Sequence, residues 1–495
     1  MANAPSFPHP AYARYVLEPQ FEESKEHIFD NMIAANVAHT IMLFESGILD
    51  KQQAAPLLQA LMRIGEEGVD RFTYQPNVED LFFAVEGRLI ELTGPEIGGN
   101  LQIARSRNDL AAGMSRMMLR HRIIASQVAI LELRTSLVAL ARKHTDSLMP
   151  GITHTQPAQP TTLAHFLLGV IGPLERDFAR LQRALEHTNQ SSFGVAAFTT
   201  TSFPISRETV AELLGFPVIL ENGYDAIGAG DHIMETAMAM TNCVGSLSRF
   251  VHDLLVWSRA TEGLLKIDDA FIQISSIMPQ KRNPVVLEHI RTRISWVYGE
   301  ATAVQTMIHS AAGGDTNDVE DPIFIAMNRC FDAFEAVVNL LDAVVTTANF
   351  NTELMAERAY QGHMTTTALA DALVQEYGIA FRSAHSIVSG LVNLSVATKT
   401  PINAAMVHQV SAEVLGTRLE VSEEFVQQAL DPRNFIAVRT IYGGCAPEAT
   451  SAALDSCLAR IATDQQQVRT TLDVISAADA ERSARMTKIM ERTGS

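Results

Sequence analysis

Long stretches of this 495-residue chain contain no proline, among them those between Pro95 and Pro150, between Pro217 and Pro279, and between Pro284 and Pro322. Proline inside a helix removes a backbone hydrogen bond, so such stretches are where long helices can run. Within the first, Ile130, Leu133, Leu137 and Leu140 recur at steps of three and four. Leu174, Phe178, Leu181 and Leu185 repeat the pattern on the next segment, and Ala326 to Val345 follows the last. That spacing puts apolar side chains on one face of a helix. The stretches exceed the ~11–12 residues of an ordinary helix, and strand-like alternation is scarce. The expectation is an all-α fold around a bundle of long helices.

Composition narrows the function classes. With 47% apolar and 19% charged residues the chain can bury a large core, which excludes wholesale disorder. Its net charge of −18, without a basic run, would repel phosphate backbones and argues against nucleic-acid binding. No apolar run reaches the ~18–20 residues of a bilayer span; His165 to Leu174 is the best candidate and contains Gly169, Gly172 and Pro173. The N-terminus has proline and charge where a signal peptide has its apolar core. Cys243, Cys330, Cys445 and Cys457 lie far apart, which suggests neither a zinc knuckle nor a disulfide framework. A soluble cytoplasmic protein is expected, with no membrane or nucleic-acid partner.

Two composition shifts suggest boundaries: the Gly-rich turn from Glu96 to Asn100, and the loosening near Asn349 to Asn351. They predict an N-terminal helical domain over 1–104, a central bundle over 105–352, and a small helical domain over 353–495. The chain has no GxSxG elbow, no phosphate-binding GxxxxGK loop and no HExxH pair, so hydrolase, nucleotide-binding and zincin readings lose their usual support.

The most informative segment runs from Gln273 to Pro284, Q-I-S-S-I-M-P-Q-K-R-N-P. It places two hydroxyls, an ammonium and an amide in a short loop pinned by two prolines. Such a set suits a carboxylate: Lys neutralises it, Asn and backbone N–H groups hold it, and a serine can exchange a proton. Composition alone favours an ordinary helix–helix connection with solvated charges.

The segment resembles the G-S-S-x-M-P-x-K-x-N signature loop of the aspartase/fumarase superfamily, with Ile274 where Gly is usual. Two further blocks resemble the argininosuccinate lyase family within it. Arg105 to Asp109 (R-S-R-N-D) is one, and Gly151 to Pro160 (G-I-T-H-T-Q-P-A-Q-P) is the other. The similarity extends to Phe203–Glu208, Glu221–Ala226 and the turn Gly443–Pro447, and so covers most of the chain.

The resemblance implies a carbon–nitrogen lyase that needs no cofactor or metal and releases fumarate from an N-substituted aspartate. A β-proton leaves first, the carbanion is held as an aci-carboxylate, and the amine is then expelled. Ser275 is implied as the general base, with Lys281 and loop N–H groups stabilising its alkoxide. Lys281 and Asn283 would grip the substrate carboxylates, and Ser276 and Met278 would join the binding surface. His154 and Glu288 would be paired, the histidine serving as proton donor to the amine or as substrate anchor. Ser106, Arg107, Asn108 and Thr153 would bind the fumarate-end carboxylates, with Gln159 beside them. The resemblance further implies a homotetramer with a 20-helix core and active sites shared between three subunits.

Departures concern the amine half of the substrate. Relatives carry E-D-I-H before the first block, whereas this chain has Glu79-Asp80-Leu81-Phe82. Their R-S-R-N-D follows Thr-Gly, and here it follows Ile103-Ala104. The run from Ala312 to Pro322 has neither the Tyr nor the Lys that contact arginine in relatives, and Glu320 falls about where the Lys would. Losing polar partners of a polar substrate costs discrimination heavily. A different leaving amine is therefore expected, of an amino-polycarboxylate such as ethylenediaminedisuccinate or of another N-alkyl aspartate. Argininosuccinate itself and a non-catalytic structural relative stay as alternatives, and an O-elimination or adenylosuccinate-type enzyme fits the first block less well.

Overall fold

The computed structural model describes residues 7–319 and 321–491. Four helices open it: α1 Glu18–His27, α2 Phe29–Glu45, α3 Lys51–Glu67 and α4 Leu81–Thr93. Asp50 and Asp80 start α3 and α4 by accepting the backbone N–H groups of Gln53 and Phe83, which have no intrahelical partner. These helices close over a cluster that includes Phe21, Ile41, Leu57, Leu61 and Leu89.

Five long helices follow: α5 Arg107–Arg142, α6 Leu163–Thr188, α7 Asp231–Trp257, α8 Val285–Ile308 and α9 Asp321–Thr347. They pack as a closed ring, α5 on α6, α6 on α7, α7 on α8, α8 on α9, and α9 back on α5. Ile130, Leu133, Leu137, Leu174 and Leu181 are fully enclosed there, each worth about 1.5–3 kcal/mol of burial. The periodicity read from the sequence is the inward face of this ring.

One sequence expectation needs correcting. A window of α5 with mean hydropathy 1.6 is long and apolar enough to cross a bilayer, unlike the weaker run from His165 to Leu174. Of that window 67% is buried inside the protein. Its apolarity reflects a helix covered on several sides by its neighbours, and Arg134, on the same helix, is itself enclosed and paired with Asp464 at 2.5 Å.

Beyond Asn351 six shorter helices lie between Thr352 and Ala437, several of them around Leu373, Ile387, Leu391, Val407 and Val426. The last helix, α10 Pro447–Met490, does not stay with them. Leu454, Cys457, Ile461, Val468 and Ile475 recur at steps of three, four and seven, and this stripe joins the core of the long bundle. Ile489, near its end, reaches the N-terminal cluster.

Two hairpins matter for the site. Strands β1 Leu148–Thr153 and β2 Gln156–Thr162 pair antiparallel between α5 and α6. Strands β3 Gln273–Ile274 and β4 Arg282–Asn283 pair antiparallel just before α8.

Candidate active site

The first block is the N-terminus of α5. Ser106 and Asp109 form a reciprocal cap: Ser106 Oγ accepts from the Asn108 N–H at 3.3 Å, and the Ser106 N–H donates to Asp109 at 2.9 Å. Ser106 Oγ also donates to Asn108 Oδ1 at 2.9 Å. The other oxygen of Asp109 accepts the N–H groups of Gly194 and Ala196. Burial pushes the Asp109 carboxyl up, and those N–H donors act against it. Arg107 donates to Asp80 at 2.9 Å, lies 3.6 Å from Glu79, and rests over the Phe83 ring. Arg105 donates to Asn36 at 2.7 Å, and burial pulls its guanidinium down to about 10. Arg107 and Asn108 line a cavity of about 120 Å³ together with Asp80, Phe82, Asp315 and Asn328.

The second block is the β1–β2 hairpin. Thr153 faces Gln156, which leaves His154 and Thr155 as a two-residue turn with φ of +50° and +63°. Tight hairpins of this kind need a positive φ at both central residues, a conformation glycine and asparagine adopt readily and threonine does not. Such strain is held only where the surroundings over-determine it, and it presents the imidazole outward. Thr153 and Gln159 line a second cavity, of about 840 Å³, with His165, Arg249 and Asp253. Gln159 also donates to Thr367 at 3.0 Å.

The signature loop is the tip of β3–β4. It is a hairpin, not the plain helix–helix connection that its composition alone would fit. Gln273 faces Asn283 and Ile274 faces Arg282, while the Lys281 N–H closes the turn on the Met278 carbonyl at 3.0 Å. Ser275 Oγ accepts the N–H of Met278 at 3.0 Å and of Ile277 at 3.4 Å. Arg282 pairs with Asp269 on the outside. The tip stands in solvent, with Ile277 82% exposed and Ser276 exposed beside it. Met278, Lys281, Asn283 and Glu288 line a third cavity, of about 1170 Å³. Glu288 lies in the first turn of α8, where the helix dipole favours a carboxylate.

Within one chain the three blocks therefore border three separate hollows. The first two stand at opposite ends of α5, whose 36 residues span about 54 Å at 1.5 Å per residue. No hydrogen bond or ion pair joins His154 to Glu288 among the described residues. Of the residues expected at the site, Met278, Lys281, Asn283 and Glu288 share one hollow, Arg107 and Asn108 another, and Thr153 and Gln159 a third.

Sequence reading gave no role to Asp109, Glu23 or Asn328. The S-x-x-D spacing of Ser106 and Asp109 is a capping signal that could have revealed the first. Glu23 and Asn328, which meet at 2.8 Å across 305 positions, left no local trace. Of the acidic run, Asp315 reaches the first cavity, whereas Glu320 lies outside the described residues.

Residues 18–299 match the lyase family, and residues 363–437 match the argininosuccinate lyase C-terminal family. The chain is 34% identical to argininosuccinate lyase 1 of Shouchella clausii, over 94% of both chains. It is 35% identical to argininosuccinate lyase of Methanosarcina barkeri, over 92% of both. Among solved structures, an EDDS lyase variant with bound fumarate superposes with a TM-score of 0.86 at 26% identity, covering 97% of this chain and 96% of that one. A class II fumarase from Schistosoma mansoni, 15% identical with a TM-score of 0.67, shares the fold. The matched segments, the helical bundle and the three blocks agree: this chain belongs to the argininosuccinate lyase family of the aspartase/fumarase superfamily and is a carbon–nitrogen lyase.

Proposed function

We propose that the protein eliminates fumarate from an N-substituted aspartate, and that the reaction runs in reverse as addition of an amine to fumarate. The observation that carries this reading is the setting of Ser275. A serine hydroxyl is a poor base at its ordinary pKa, and it becomes one only where its alkoxide is stabilised. Two backbone N–H groups already point at Ser275 Oγ, and Lys281 follows on the same hairpin. In this reading Ser275 removes the β-proton, the carbanion becomes an aci-carboxylate, and Lys281 with Asn283 holds the doubled negative charge. Stabilising charge that exists only after proton removal speeds the chemical step rather than merely tightening binding.

The first and second blocks would come from other copies of the chain. Ser106, Arg107, Asn108 and Thr153 would hold the carboxylates, with Gln159, Ser276 and Met278 beside them. His154, paired with Glu288 across subunits, would deliver a proton to the amine or anchor the substrate. The length of α5 supports this arrangement, because it keeps the two blocks of one chain apart. The reading assumes a cytoplasmic homotetramer with its bundles joined in a 20-helix core and needs no cofactor. It keeps the divisions 1–104, 105–352 and 353–495, with α10 crossing back from the last of them.

Argininosuccinate as substrate is the second reading, favoured by relatives with that activity at about one-third identity. Against it stands Phe82, whose buried ring occupies the place of an imidazole. The test is ultraviolet absorbance of fumarate, followed as candidate aspartates are added and, in reverse, as amines are offered with fumarate. A folded tetramer that stays silent with every candidate refutes the activity; turnover with argininosuccinate alone selects the second reading.

A further inference from the structure

One polar side-chain contact ties the β3–β4 hairpin to the rest of the protein. Among the described residues, Arg282 alone of the segment from Gln273 to Pro284 makes such a contact outside the hairpin, an ion pair with Asp269. The other side-chain hydrogen bonds of the segment stay inside it, both on Ser275 Oγ. The ladder itself has only two residue pairs, Gln273 with Asn283 and Ile274 with Arg282. So short a ladder specifies the pose of its tip weakly.

The two ends of the ion pair differ in how firmly they are held. Asp268 accepts the Ala270 N–H at 2.9 Å and closes the short turn Asp269–Phe271. Phe271 and Ile272 then pack against the core of the long bundle. Asp269 is therefore the fixed end, and Arg282, between Lys281 and Asn283, is the end that could move. Neighbouring residues of a strand point to opposite faces, so drawing Arg282 toward Asp269 also sets where Asn283 points. The side chains of Arg282 and Asp269 are 42% and 72% exposed, and a pair so open to water adds little to global stability. Its effect is local to the hairpin.

We propose that Asp269 and Arg282 are positioning residues, whose ion pair fixes the pose in which the hairpin presents Ser275, Lys281 and Asn283 to the substrate. The assignment rests on the lyase reading for what those three groups do. Arg282 also borders the cavity of Lys281 and Glu288, so its competing role is a direct grip on a substrate carboxylate. The two roles part at Asp269. Removing that carboxylate loosens a tether, whereas it frees a gripping guanidinium to bind more tightly.

The test follows backbone hydrogen exchange in the full-length protein, with steady-state kinetics alongside. It compares wild type, Asp269→Ala, Arg282→Ala, the double variant and Asp269→Glu. The amides of Met278, Lys281 and the β3–β4 ladder should exchange about fivefold faster in each alanine variant. The double variant should add nothing further, and Asp269→Glu should restore the wild-type rate. In the same order kcat should fall about fivefold and recover, with KM held within twofold. Exchange that stays within twofold of wild type in both single variants overturns the tether, and so does faster exchange with an undiminished kcat. A raised KM confined to Arg282→Ala, with Asp269→Ala as active as wild type or more so, overturns it in favour of the direct grip. A wild type that turns over no N-substituted aspartate refutes the lyase reading, and the exchange pattern then decides the tether by itself.

Discussion

One carboxylate serves two neighbours: Asp80 Oδ1 accepts the Phe83 N–H at 2.9 Å and so caps α4, while its Oδ2 receives Arg107 at the same distance. The helix start and the arginine expected to hold the substrate are therefore positioned by one side chain. Asp80→Asn keeps an oxygen for the cap and loses the charge that holds Arg107. It should raise KM for the aspartate-bearing substrate by about tenfold and leave Tm within a few degrees. Asp80→Ala removes the cap as well and should cost about 1 kcal/mol of stability. Steady-state kinetics with thermal melts of the two variants separate the contributions; an unchanged KM in both would remove Arg107 from the binding surface.

Ser275→Ala deletes the acceptor for two N–H groups on an exposed hairpin. Those donors can turn to water, so the melt and the oligomeric state should be unchanged. Turnover should fall by more than a hundredfold, a typical share for a lost general base. A variant retaining more than a few per cent of the rate would show that another group takes the proton.

Gly113 lies on α5 directly under Phe193, and an added Cβ would sit 2.3 Å from the ring. Phe193 is buried beside Phe216, which leaves its ring little room to step aside. Gly113→Ala should therefore destabilise the protein by about 1–3 kcal/mol, despite the better helix propensity of alanine. Chemical denaturation checks this, and a stabilised variant would show that the ring can move.

His39 gives a pH signature. Its Nε2 lies 3.0 Å from the Ile103 carbonyl, just before the first block. Burial first, and then the Arg105 charge, hold its pKa well below 6.5. The unfolded chain takes up this proton near pH 6.5 and the folded protein does not, so the stability difference is lost as pH falls from about 6.5. His39→Gln keeps an N–H for the carbonyl and removes the titration. Denaturation at pH 7.5 and pH 5 should show the variant losing less stability than wild type over that interval; parallel losses would place the histidine elsewhere in the balance.

The bundle was legible because Ile130, Leu133, Leu137 and Leu140 repeat at the helical period, and packing follows that period directly. The hairpin carrying His154 was not. Pro150, Pro157 and Pro160 lie within its strands, and proline lowers any strand reading; here the two strands pair only with each other. The return of α10 was invisible for another reason. Its stripe is plainly helical, but nothing local says which surface it will cover. At the site, chemistry-bearing residues stood out wherever they sat in one short block, as Ser275, Lys281 and Asn283 do. Glu23 and Asn328 lie 305 positions apart in the chain, and only the folded protein makes them neighbours.

The 36 residues of α5 also act as a ruler. Inserting or deleting a single residue anywhere along it would slide Ser106 and Asn108 by about 1.5 Å and swing them by ~100° around the axis. The bundle contacts at the other end would hold the rest in place. Natural variation in this enzyme should accordingly tolerate substitutions along that rod while leaving its length untouched.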